Sequence, residues 1–197
     1  MKQVAVIYHS AQGHTQHIAE HIAAGLEETG CVRAHLLPAQ ATEADALLRF
    51  DGFILGSPTY LGGVSAPLKA FMDATGRLWS KQLLQGRLAS GFTVSALPAG
   101  DKQSTLMSLF TFCMQHGMLW VGNPILPEQH LGVPYEEAAN RLGSWTGLMA
   151  QADKGSPGHA FPAGDIRTAR LFGRNFADTL MRLHQGQPAG IAQEVLA

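Results

Sequence analysis

The five residues Val4-Ala5-Val6-Ile7-Tyr8 constrain this chain more than any others of their length. They are apolar without interruption and β-branched at three positions out of the first four. A strand with one wet face alternates apolar and polar residues, whereas a strand covered on both faces does not. Such a strand belongs in a parallel sheet with helices on either side. The next twenty residues fit that geometry. A polar loop, residues 9–14, leads into Ile18, Ile22 and Leu26 at four-residue spacing, with Ala19 and Ala23 filling the same stripe. This pattern predicts an amphipathic helix that ends near Gly30.

The alternation then repeats. Val32 to Leu37 reads as a strand closed by Pro38, and Glu43 to Arg49 as a short helix. Gly52 to Gly56 reads as an apolar strand, and Val64 to Leu78 as a helix. Leu88 to Ala96 reads as a strand, Gln103 to Gln115 as a helix, and Met118 to Val121 as the start of a fifth strand. Strands alternating with helices predict an α/β three-layer sandwich around a five-stranded parallel sheet, ordered 2-1-3-4-5. Residues 122–165 break the texture, with many Gly and Pro and no clean period. A segment of that length reads as a functional lid or an interface element. Ile166 to Leu183 reads as a final helix, and the tail from His184 is expected to fray. The whole of 1–197 reads as one domain, with 122–165 as a variable insertion.

Composition removes several function classes. Charged residues make up 15% and the net charge is −1, so no strong field draws nucleic acid or an anionic membrane. No apolar run is long enough to span a bilayer, and Val4–Ile7 is too short for a secretory leader. Cys31 and Cys113 lie far apart, and the nine histidines form no metal-ligand cluster, so no metal is expected. The pattern suits a reducing, cytoplasmic location. The low charge and aromatics such as Trp145 suggest self-association into a closed dimer or tetramer.

Chemistry in such a sheet gathers beyond the carboxyl ends of the strands, at the point where strand order reverses. Three loops emerge there. The first is Ser10-Ala11-Gln12-Gly13-His14-Thr15. A strand-to-helix turn offers backbone N–H groups and the positive end of a helix to a phosphate. Ser10 and Thr15 add hydroxyls, and Gly13 lets the backbone approach closely. The loop lacks the lysine of a P-loop and the GxGxxG of a dinucleotide site. By itself it also fits a plain polar turn with a helix cap. The second loop, Gly56-Ser57-Pro58-Thr59-Tyr60-Leu61-Gly62-Gly63, is stiffened by Pro58, and Tyr60 and Leu61 are suited to pack against a flat ring. The third is Ser95-Ala96-Leu97-Pro98-Ala99-Gly100-Asp101.

Taken together these residues resemble a known family. The first loop, Gly56 to Gly62 with Ala66 and Phe71-Met72-Asp73 behind it, Gly76-Arg77-Leu78-Trp79, and His116-Gly117-Met118 look like the WrbA-type NAD(P)H:quinone oxidoreductases, of the flavodoxin-like superfamily and related to NADPH-dependent FMN reductases. The resemblance implies a flavodoxin-like fold, FMN as cofactor, NAD(P)H as co-substrate and a quinone as acceptor. It implies two-electron, ping-pong hydride transfer through flavin N5, in a cytoplasmic homotetramer or homodimer. Carried over by position, Ser10, Ala11, Gln12, Gly13, His14 and Thr15 would hold the phosphate. Pro58, Thr59, Tyr60, Leu61 and Gly62 would cradle the ring. Ser95, Ala96, Leu97, Pro98, Ala99 and Gly100 would hold its pyrimidine side. Trp79 and His116 would border the open face as substrate-binding residues, with His116 a candidate proton donor to the quinone.

The chain also departs from that family. Leu97 and Pro98 stand where small polar residues are usual, and Pro98 lacks an N–H. The segment Ala39–Asp51 is short, and 122–165 has its own composition. Three other functions therefore stay open: a one-electron flavodoxin-type carrier, an FMN reductase that uses flavin as substrate, and a low-affinity flavin-binding scaffold.

Overall fold

The computed structural model describes residues 1–185. In chain order the elements are β1 (Lys2–Tyr8), α1 (His14–Glu27), β2 (Val32–Pro38), β3 (Gly52–Tyr60), β4 (Gly63–Val64), α2 (Ala66–Ala74), α3 (Gly76–Ser80), β5 (Leu88–Ser95), α4 (Lys102–Gln115), β6 (Leu119–Trp120), β7 (Leu148–Gln151) and α5 (Ala163–Gln185). β2, β1, β3 and β5 lie side by side and parallel. The expected order holds for them, with β5 in the fourth position.

The fifth position differs in detail. It is shared by two short strands, β6 beside Leu88 and Ala89, and β7 beside Phe92 to Ser95. The expected strand at 118–121 is therefore only half of an edge, and the chain leaves the sheet between the halves. Part of the Gly/Pro-rich region thus completes the sheet. Its alternation of buried and half-buried residues in Leu148–Gln151 is too short to stand out from its surroundings.

Both faces of the sheet are covered, as the apolar run of β1 requires. Val4, Val6 and Tyr8 face Ile18, Ile22 and Leu26 of α1 and Phe172 and Phe176 of α5. Ala5 and Ile7 face the other way, into a core with Phe53, Leu55, Leu68, Phe71 and Leu109. α1 and α5 pack with backbones nearly touching: a Cβ on Gly25 would lie 2.0 Å from the Arg170 carbonyl oxygen. Arg87 ties the lower edge together by donating to the carbonyls of Leu47, Leu48 and Phe50.

Three further expectations change. The helix expected over 64–78 is two helices, broken at Thr75, whose hydroxyl donates to Met72 O at 2.6 Å and competes with the backbone ladder. The segment Ala44–Arg49 is a run of 3₁₀ turns. The last helix begins at Ala163, directly after Pro162, and runs on through His184; the rest of the expected tail lies outside the described residues. Among the described residues, no helix is long and apolar enough to cross a membrane.

Candidate functional site

The first loop reaches its shape by local means. The His9 N–H bonds Gly56 O at 3.1 Å and pins the end of β1 to β3. Gly13, at φ 87°, then turns the chain into α1. A side chain there would be strained, and its Cβ would lie 2.8 Å from Pro157 Cγ. No side chain caps α1, so its first N–H groups face outward with the positive end of the helix dipole. The Ser10 hydroxyl is buried and has no partner among the described residues. A buried hydroxyl beside a bare helix N-terminus suits a phosphate, which accepts from both.

The second loop is not the plain strand-to-helix connection expected. β3 continues through Tyr60, turns over Leu61 (φ 49°) and Gly62 (φ 80°), and pairs back with β4 as a tight hairpin. The hairpin is anchored from beneath. Thr59 Oγ1 lies 2.8 Å from both Thr93 Oγ1 and Thr105 Oγ1, and Ser104 donates to Gly62 O at 2.6 Å. The Thr59 hydroxyl is thus committed to its neighbours rather than free for ring heteroatoms. Tyr60 is half exposed and Leu61 fully so, at the lip of the hairpin.

The third loop is held by a buried polar network. Lys102, fully buried in the first turn of α4, donates to the carbonyls of Leu97 and Pro98, the latter at 3.0 Å. Gln151 of β7 donates to Ala96 O at 3.1 Å. Asp165 of α5 accepts from the Gln151 N–H at 2.7 Å and from Arg141 Nε at 2.7 Å. Burial pushes the Asp165 carboxyl up, against the pull of Arg141 and the Gln151 N–H. Burial also lowers the Lys102 amine to about 8, with Asp165 opposing that and Arg141 adding to it.

A cavity of about 590 Å³ joins these loops. It is of the size ordinary ligand sites have. Ser10, Ala11, Gln12, His14 and Thr15 line one end, Pro58, Thr59 and Tyr60 a wall, and Ser95 and Ala96 the other end. Gly13, Leu61, Gly62 and the stretch Leu97 to Gly100 stand outside this lining. The sequence reading missed a fourth wall, residues 152–157. His14 Nε2 donates to Gly155 O at 2.9 Å, and His17 stacks on Phe161, which seats that strap over α1. The turn-forming Gly155-Ser156-Pro157 was its only signal.

Trp79 and His116 meet elsewhere, in a separate groove of about 570 Å³ between α2–α3 and α4, lined also by Met72, Thr75, Met107 and Phe112. Trp79 is half exposed there. His116 is buried, and burial lowers its pKa. Its Nε2 lies 3.0 Å from Thr75 Oγ1, whose own proton goes to Met72 O. The hydrogen-bond pattern therefore assigns the proton to Nε2 and leaves Nδ1 bare and unpartnered. With Nε2 committed to Thr75 and Nδ1 buried, His116 presents no free N–H to the groove, so the geometry does not support the expected proton donor to a quinone. Among the described residues no cluster of metal ligands occurs.

The comparisons with known proteins point the same way. The family of NADPH-dependent FMN reductases matches residues 37–130. The flavodoxin FldP of Pseudomonas aeruginosa is 31% identical, over 93% of this chain and all of that protein. An NAD(P)H dehydrogenase (quinone) of Archaeoglobus fulgidus is 30% identical, with the same two coverages. The crystal structure of a WrbA-like flavodoxin from Agrobacterium tumefaciens superposes with a TM-score of 0.67 at 32% identity, over 92% of this chain and 99% of that one. A cavity of ligand size at the carboxyl ends of the strands, in a chain with these relatives, places the protein in the flavodoxin-like family of WrbA-type NAD(P)H:quinone oxidoreductases, FMN-dependent enzymes of oxidation and reduction.

Proposed function

We propose that this chain is an FMN-dependent NAD(P)H:quinone oxidoreductase that works in two half-reactions on one flavin. The observation that carries the reading is the cavity itself, in which an uncapped helix start and the unpartnered Ser10 hydroxyl stand at one end and the third loop at the other. When bound, FMN would supply the redox chemistry, two-electron hydride transfer through its N5 from NAD(P)H to a quinone, with the two substrates alternating.

The chain's own residues bind and orient. The N–H groups at the start of α1, with Ser10 and Thr15, hold the phosphate. The β3–β4 hairpin, kept rigid by the Thr59–Thr93–Thr105 hydroxyls, sets the plane of the ring. The strap at 152–157 closes over the phosphate end and excludes water there. Tyr60, Leu61 and the groove bearing Trp79 offer apolar surface to a flat substrate. Exposed Leu126, Leu131, Tyr135 and Trp145 on the insertion support assembly into a homodimer or homotetramer, and the whole reading suits the cytoplasm. Sedimentation that finds only monomer would remove the assembly.

The test is a visible spectrum of the purified protein with and without added FMN, followed by gel filtration and mixing with NAD(P)H and then a quinone. Flavin bands that survive gel filtration, bleach with NAD(P)H and return with quinone are expected. Failure to take up FMN would overturn the reading. The likeness to a flavodoxin favours one alternative, a one-electron carrier. That alternative predicts a bound flavin that NAD(P)H does not reduce unless a separate reductase is added.

A further inference from the structure

The third loop is where this chain departs from its family, and the structure shows what replaces the missing polar residues. The family resemblance places small polar residues where loop 95–101 has Leu97 and Pro98. In their place, three successive loop carbonyls are taken by side chains of α4 and β7. Ala96 O is taken by Gln151, and Leu97 O and Pro98 O by the Lys102 ammonium. All peptide bonds here are trans, and in a planar trans peptide the N–H points opposite to the C=O. The N–H groups of Leu97 and Ala99 therefore face away from the network, in the loop whose Ser95 and Ala96 line the cavity. Neither has a partner among the described residues. Pro98 removes the N–H between them, but that peptide's carbonyl is one that Lys102 holds.

The charge matters as well as the bonds. Lys102 is fully buried, and no carboxylate lies within ion-pair distance of it among the described residues. The groups facing its surroundings are Asp165 on α5, Arg141 on the insertion between β6 and β7, and beyond Arg141 the exposed Glu136 and the Tyr135 ring. The Asp165 carboxylate is already matched by Arg141 and the Gln151 N–H. An ammonium ion is thus left behind the loop that meets the pyrimidine side of the ring. A fixed positive charge in a site of low dielectric stabilises negative charge that develops nearby. Reduced FMN carries more negative charge at that edge than oxidised FMN does.

We propose that Lys102 is the positioning and redox-tuning residue of the flavin site: through the Leu97 and Pro98 carbonyls it turns the third loop's N–H groups toward the ring, and its charge favours reduced over oxidised FMN. This rests on the FMN reading of the cavity. A buried lysine then does the work that small polar loop residues do elsewhere, which explains why Leu97 and Pro98 are tolerated. The site also gains a proton-linked response. Below pH about 8 the amine is charged and the preference for reduced FMN is full; above it the amine is neutral and the preference fades.

The experiment uses the full chain loaded with FMN, as wild type, Lys102→Met and Lys102→Arg. Dissociation constants for oxidised and reduced FMN come from titrations, and the two-electron potential is followed against pH. Lys102→Met should lower the ratio of oxidised to reduced dissociation constants roughly tenfold, which is about 30 mV in potential. Lys102→Arg should recover most of it. The wild-type potential should fall more steeply than that of Lys102→Met across the window around pH 8. A folded Lys102→Met protein with an unchanged ratio and the same pH profile overturns the proposal and leaves the FMN reading standing. Wild-type protein that binds no FMN overturns both. Should Lys102→Met fail to fold, the wild-type profile decides alone: extra steepness around pH 8 supports the proposal, and its absence overturns it.

Discussion

The first and third loops reach one cavity by opposite means. Both contribute residues to its lining. The first makes its donors from local structure: a strand ends, one glycine turns, and a helix starts without a cap. Its elements are contiguous from Tyr8 to Thr15. The third makes its donors from distance. Lys102 on α4 holds the carbonyls of Leu97 and Pro98, and Gln151 on β7, itself tied to Arg141 and Asp165, holds that of Ala96. A locally built loop depends on backbone conformation, whereas a loop held from below depends on buried charges far away in sequence. The two therefore differ in what breaks them.

The largest effect is expected at the far end of the network. Arg141→Met leaves the Asp165 carboxylate buried without its cation, a loss of about 3–5 kcal/mol of stability. Denaturant unfolding measures this. The variant should also bind FMN more weakly, because Gln151 and the third loop shift with Asp165. A stability change below about 1 kcal/mol would show that the network is not what holds that loop.

Next is Gly13→Ala in the first loop. The left-handed backbone and the nearby Pro157 together should cost about 1–2 kcal/mol. FMN affinity should fall with stability, since the same strain displaces the start of α1. Thermal unfolding with and without FMN separates the two effects.

Ser10→Ala sharpens the comparison further. The hydroxyl has no partner among the described residues, so the protein without FMN should be as stable as wild type. FMN binding should weaken by about 1.5–3 kcal/mol, from the loss of one hydrogen bond to a charged group. Equal affinity in wild type and variant would mean that the phosphate does not sit there.

The smallest effect is expected at Leu97→Ser. The Leu97 side chain is mostly exposed and its carbonyl does the structural work. Stability should move by no more than about 0.5 kcal/mol, and FMN affinity should stay close to wild type. A large loss of affinity would show that the side chain, not the backbone behind it, meets the ring.

Sequence reading succeeded where structure is local. The apolar run of β1 announced a sheet covered on both faces, and the Ile18–Ile22–Leu26 stripe announced the helix beside it. The turn at Ser10 to Thr15 could be read because one glycine carries the chain from the strand into the helix. Reading failed where a feature is shared between distant segments. The halves of the fifth strand position are separated by the insertion, so neither shows a full strand's pattern. The β3–β4 hairpin hid because an apolar strand followed by Pro58 and two glycines looks the same as a loop. Trp79 and His116 were expected at the ring and lie in their own groove, since the break at Thr75 sets the direction of α3.

What the sequence by itself determined is the sheet, its order over the four long strands, and the turn from β1 into α1. All three rest on periodicity and on glycine's freedom at one turn. What only the tertiary structure decided is how the third loop is held. Lys102 in sequence is an ordinary lysine in the first turn of a helix. It becomes part of the site because folding buries its ammonium beneath two carbonyls, where lost hydration makes charge and hydrogen bonds count far more than they do in water.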